Sequence, residues 1–138
     1  MKTPHTLFGL ALMALPLTPL HAQTPDQFSC AVEDFIGFSD DAAFKAKNKR
    51  KRFTLRITGT EVIAFVKSKD FRDHENRYEI IQRKMLDTVA INAGRGSLGT
   101  LVIPADPRRT LARKGYFNAS VSTQSNHFVN SWLLRCTK

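Results

Sequence analysis

Few side chains in this chain combine the types and spacing that chemistry requires. Residues 94–99 read Gly94-Arg95-Gly96-Ser97-Leu98-Gly99, the G-x-G-x-x-G spelling of a dinucleotide loop. That chemistry needs a helix straight after the glycines, because the pyrophosphate sits on the helix N-terminus. Here Thr100-Leu101-Val102-Ile103-Pro104 follows, a strand-like run ended by proline. The acid needed about 20 residues further on is also missing. The stretch reads instead as a hairpin loop whose glycines allow positive φ, with Arg95 solvated at its tip.

Residues 70–76 gather Asp70, Asp73, His74 and Glu75. A metal site needs converging ligands, and the alternating acids and central glycine of a calcium loop are absent. Arg72 and Arg77 compete for the carboxylates. This reads as a polar hairpin tip. Nucleophilic catalysis needs a base beside the nucleophile. Past the N-terminal segment only His74 and His127 can serve, and Ser122, Thr123 and Ser125 neighbour His127 in sequence. G-x-S-x-G does not occur, and nothing singles out a carboxylate pair. No catalytic residue, metal or cofactor is expected.

Two cysteines remain, Cys30 and Cys136. Their redox setting follows from the N-terminus. Lys2, an apolar run from Leu7 to about Leu20, and Leu20-His21-Ala22 have the layout of a secretory signal peptide cleaved after Ala22. The run is broken by Pro16 and Pro19 and is shorter than the roughly 20 residues of a membrane-spanning helix. Cys30 lies too far past Ala22 to carry a lipid anchor. The predicted division is a signal peptide over 1–22 and a single domain over 23–138, periplasmic or secreted, with no membrane span. In such a compartment the default is a Cys30–Cys136 disulfide enclosing nearly the whole domain. A C-x-x-C redox pair is absent, and two cysteines cannot complete a four-ligand zinc site. The Asn118-Ala119-Ser120 sequon is expected to carry no glycan, since it lies in a predicted strand and the leader reads as bacterial.

The densest chemical signal is charge. Lys45, Lys47, Lys49, Arg50, Lys51 and Arg52 place six bases in eight positions. Export excludes a nuclear address for them. Residues 23–44 carry five acids and no base, a charge of −5. Residues 45–138 carry 20 bases and 7 acids, a charge of +13, so the domain is +8. The acidic arm and the basic run can neutralise each other in part. The six bases are expected to be solvent-exposed, with Phe44 and Phe53 anchoring the ends of the segment. They are the candidate polyanion-binding residues. Any such binding should be weak and non-specific, because no aromatic lies between the charges.

These residues must be positioned by short strands. Phe53, Leu55 and Ile57 alternate with Thr54, Arg56 and Thr58, and residues 61–67 follow after Gly59-Thr60 as the second arm of a hairpin. Further strands are expected at 28–32, 77–83, 86–92, 99–103, 115–122 and 127–135. Phe117, Val121, Phe128, Trp132 and Leu134 are expected in the core. One short helix fits 40–49: Ser39 or Asp40 caps it, acids open it, bases close it, and Asp41 and Lys45 form an i,i+4 pair. Residues 104–114 read as an irregular connection and 23–27 as a loose tail. The fold class is mainly β: a single small antiparallel β-barrel or barrel-like sandwich of about eight strands.

In size, strand count and export this resembles lipocalin-type barrels and periplasmic inhibitor barrels. The lipocalin G-x-W signature is absent; its nearest counterpart is Gly37-Phe38. Likeness at fold level carries no ligand with it. The leading functional expectation is non-catalytic binding of a protein partner or a small apolar ligand. The alternatives are a basic surface for polyanions such as lipopolysaccharide, acidic glycans or extracellular DNA, and a hydrolase whose residues the sequence does not mark.

Overall fold

The computed structural model describes residues 25–138. The signal peptide expected over 1–22, its expected cleavage after Ala22 and the first residues of the tail lie outside them. Eight antiparallel strands form a closed barrel in which each strand pairs with its sequence neighbours and β8 returns to β1. They are β1 (Asp26–Ile36), β2 (Arg52–Ile57), β3 (Glu61–Lys67), β4 (His74–Arg83), β5 (Asp87–Gly94), β6 (Ser97–Pro104), β7 (Phe117–Gln124) and β8 (Val129–Thr137). Helix α1 (Ala42–Lys49) joins β1 to β2, and α2 (Pro107–Lys114) joins β6 to β7. Closure removes the free edges that an open sheet exposes.

Period-2 alternation decides what fills the barrel. Phe28 and Cys30 on β1, Leu55 on β2, Tyr78 on β4, Leu101 and Ile103 on β6, Phe117 on β7 and Leu134 on β8 are all buried. Phe28 and Phe117 meet edge to face, their ring centres 4.9 Å apart. The lumen is therefore a packed core. Phe128 is an exception to the expected core set. It is half-buried in the β7–β8 turn and packs on Phe38 instead.

The Cys30–Cys136 disulfide forms where β1 meets β8, the two residues being direct register partners. It locks the seam that closes the barrel. At the β5–β6 turn, Arg95-Gly96 is a two-residue connection, and Gly96 takes φ +74°. This is a hairpin glycine and not a phosphate loop.

Three expectations about elements change. Asp26 and Gln27, placed in a loose tail, pair with Ile57 and Arg56 and extend β1. His74 and Glu75 belong to β4, where they pair with Val66 and Phe65, so the polar loop is only 68–73. Residues 107–114 are helical. Asp106 caps α2 through the Arg109 N–H, Pro107 opens it, and Gly115 ends it in the left-handed region with its N–H on the Leu111 carbonyl. Asp-Pro at the start and Gly at the end are ordinary helix punctuation.

Candidate functional site

The basic run occupies the last turn of α1 and the entry to β2, at the barrel end that also carries loop 68–73. Asp41, not Ser39 or Asp40, caps α1 by accepting from the Ala43 N–H at 2.8 Å. Its carboxylate is thereby engaged, and Lys45 pairs with Asp40 at 3.2 Å instead of with Asp41. Lys49 pairs with Asp34 at 2.9 Å. The hydrogen bond from Lys49, then that from the Phe35 N–H, holds the Asp34 carboxyl below the ordinary carboxylate range. The acidic arm does neutralise part of the run. Arg50 reaches Asp70 through two nitrogens, at 2.9–3.2 Å, and so ties loop 68–73 to the helix end.

The six bases do not share one environment. Lys47, Lys49, Arg50 and Arg52 are exposed and Lys45 is half-buried. Lys51 is only 8 % exposed. This corrects the expectation that all six are solvated. Lys51 has the parity of Phe53 and Leu55 and points inward with them, whereas Arg52 points outward. The Lys51 ammonium finds aromatic faces in place of a carboxylate: Nζ lies 4.6 Å from the Phe71 ring centre and 4.7 Å from that of Trp132. Burial pushes its pKa down, while ring faces favour the cation. Phe44 is half-buried and packs against the core, and Phe53 is buried within it.

On the outer wall the run meets bases that the sequence reading did not select. Arg52 is the direct register partner of Lys67 across β2–β3. Both are exposed, as is Lys69 on the following loop. A concavity of about 490 Å³ is lined by Lys49, Arg50, Arg52, Lys67, Ser68, Lys69 and Asp73. Among the described residues, Arg52, Lys67 and Lys69 form no ion pair. Asp73 is occupied with the Ser68 N–H at 2.9 Å. Like charges directly opposite on a sheet destabilise it, so the Arg52–Lys67 pair costs the fold stability. A register signal for Lys67 was present: a hairpin pairing Ile57 with Val62 must pair Arg52 with Lys67.

The catalytic candidates do not assemble. The ring of His74 is exposed and its Nδ1 lies 3.1 Å from the Arg72 carbonyl. His127 is exposed in the β7–β8 turn, and the Ser125 hydroxyl accepts from its backbone N–H. Ser122 is hydrogen-bonded to Ser131 at 2.7 Å. Glu61 and Glu75 flank the one guanidinium of Arg77, at 3.0 and 2.9 Å, which makes a bridge on the outer wall. Among the described residues no cluster of three His, Cys, Asp or Glu could hold a metal ion.

Compared with known proteins, the chain matches no family model, no curated protein and no solved structure.

Proposed function

We propose that this is an exported, non-catalytic binding barrel that holds an anionic polymer on its outer wall beside the end of α1. Lipopolysaccharide phosphates, acidic glycans and extracellular DNA share the required chemistry. The observation that carries this reading is the Arg52–Lys67 register pair, set in one concavity with Lys69, Lys49 and Arg50. A like-charge pair that weakens the sheet has a physical rationale when an anion bridges it. The filled lumen supports the outer wall, and not an internal cavity for an apolar ligand, as the binding surface. A periplasmic or secreted location is compatible with the Cys30–Cys136 disulfide.

The test is Lys67→Glu, assayed for stability and for heparin retention at low and high salt. Stability should rise by about 0.2–1 kcal/mol as the repulsion becomes a pair. Retention at low salt should fall, and the salt dependence should flatten. Unchanged retention would remove this face from the reading.

A protein partner is the second reading, and an apolar strip near the same end favours it. Ile36, Phe38, Val129 and Leu133 are exposed on or beside β1 and β8. Phe38→Ser should then abolish a cross-link to that partner while leaving heparin retention intact.

A further inference from the structure

The opposite end of the barrel carries a different surface. There the β4–β5 turn exposes Met85 to 96 % and Leu86 to 79 %. Ile81, 57 % exposed, stands just before them, where the β4–β5 register shifts between Ile80 and Gln82. Bulges of this kind re-aim side chains. Turn tips are ordinarily built from glycine, asparagine and aspartate, so the two apolar side chains Met85 and Leu86 here are unusual, and Ile81 adds a third on the adjoining strand.

The backbone beneath them is firmly held. The Lys84 N–H donates to the Asp87 carbonyl at 2.9 Å, and the Ala105 N–H donates to the Leu86 carbonyl at 2.9 Å. The Arg83 guanidinium donates to the carbonyls of Thr58 and Gly59 at 3.0 and 3.1 Å. Met85 and Leu86 are thus presented outward by a hydrogen-bonded turn.

The surroundings are basic. Arg83 and Lys84 precede the tip, and α2 at the same end adds Arg109, Arg113 and Lys114, its Arg108 being paired with Asp26. Of the nearby acids, Asp26 pairs with Arg108, Glu61 pairs with Arg77 and Asp106 caps α2, while Asp87 opens β5 and Glu79 stands exposed on β4 before Ile81. An apolar tip at a barrel end rich in bases is complementary to a surface with negative headgroups above a hydrocarbon layer. A second copy docking tip to tip would bring the same positive charges together.

We propose that the β4–β5 tip is a membrane-surface anchor, which inserts Ile81, Met85 and Leu86 among the headgroups of an anionic phospholipid bilayer. It stands on residues separate from the anion-binding face, at the other end of the barrel.

The experiment is co-sedimentation of the chain starting at Gln23 with phosphatidylglycerol-containing vesicles and with pure phosphatidylcholine vesicles. Starting at Gln23 keeps the apolar leader from contributing. The protein should sediment with the anionic vesicles only. Met85→Ser with Leu86→Ser should reduce that binding about tenfold or more, since two apolar side chains leave the interface. Both sites are exposed, so an unchanged melting curve verifies folding. Met85→Trp should give fluorescence that lipids brominated on their acyl chains quench. Lys67→Glu should leave vesicle binding within about twofold, because one reversed charge far from the bilayer is screened. Absence of binding, undiminished binding by the double serine variant, or an unquenched tryptophan would each overturn the proposal. So would a concentration-dependent dimer that the serine variant abolishes, which would assign the tip to a second copy.

Discussion

The Lys51 ammonium lies 4.7 Å from the centre of the Trp132 ring, joining the end of α1 to the last strand of the barrel without an ion pair. Phe71 covers it from loop 68–73 at 4.6 Å. A methionine has similar length and no charge to desolvate. Lys51→Met should therefore fold, with stability at neutral pH within about 1.5 kcal/mol of wild type. Lys51→Glu places an anion against ring faces and should cost about 3–5 kcal/mol. Lys47→Glu, on the exposed side of α1, should change stability by less than about 0.5 kcal/mol. Urea denaturation of the three variants decides it. Equal tolerance of glutamate at 51 and 47 would show that Lys51 is not enclosed.

The same lysine has a pH signature. Burial sets its folded-state pKa below the ordinary 10.5. The unfolded chain then binds more protons between the two values, so stability is reduced below the folded value and recovers as pH rises towards 10.5. Lys51→Met should flatten that alkaline recovery. Stability-versus-pH curves of identical shape for the wild type and the Lys51→Met variant would contradict this.

Tyr78 acts in the opposite direction. Burial raises its hydroxyl to about 12, against an ordinary 10.0. Its contribution to stability is full below pH 10 and is lost as pH rises through about 12. The chain has two tyrosines. Absorbance titration should show one ionising only near 12 or together with unfolding. Two tyrosines ionising together near 10 would refute the burial argument.

The disulfide links the first and last strands across 106 residues. Restricting a loop of about 100 residues is worth roughly 4.7 kcal/mol in the chain-entropy model, and native bridges typically give about 2–5. Cys30→Ala with Cys136→Ala should lower unfolding stability by a few kcal/mol. Protein isolated without reductant should show no free thiol. Two titratable thiols in folded protein would mean the seam holds without the bond.

Gly37 sits where β1 gives way to the approach to α1. A Cβ there would lie 2.6 Å from two Phe35 ring carbons and 2.9 Å from Asn130 Oδ1. Gly37→Ala should cost about 1–3 kcal/mol through overpacking. Gly99→Ala should cost less, because its nearest neighbour is the Tyr78 ring at 3.1 Å. Thermal melts of the two variants rank them, and the reverse order would show that the Phe35 ring yields easily.

Much of the barrel was legible in the chain itself. Alternation in 53–58 and 61–67 marks a hairpin because side-chain period is a local property of a strand. Two cysteines in a chain whose leader reads as an export signal mark a bridge because only one pairing exists. The eight strands follow from runs bounded by turn residues. Even the inward turn of Lys51 and the facing of Arg52 and Lys67 lay in the parity and register of that hairpin, though charge made Lys51 read as exposed. Helix α2 was hidden for another reason. Its eight residues are mostly polar, so they carry no apolar stripe, and only Asp106, Pro107 and Gly115 announce it.

The long-range partners came from the closed fold. Closure of β8 onto β1 placed Trp132 over Lys51, while the β2–β3 pairing brought Lys69, Asp70 and Phe71 of the following loop to Arg52, Arg50 and Lys51. The β5–β6 pairing, Asp87 with Pro104, set the apolar β4–β5 turn at the same end as α2. Periodicity states which face a residue takes. Which residues share that face across the barrel depends on how all eight strands close around one filled core, and no local segment encodes that.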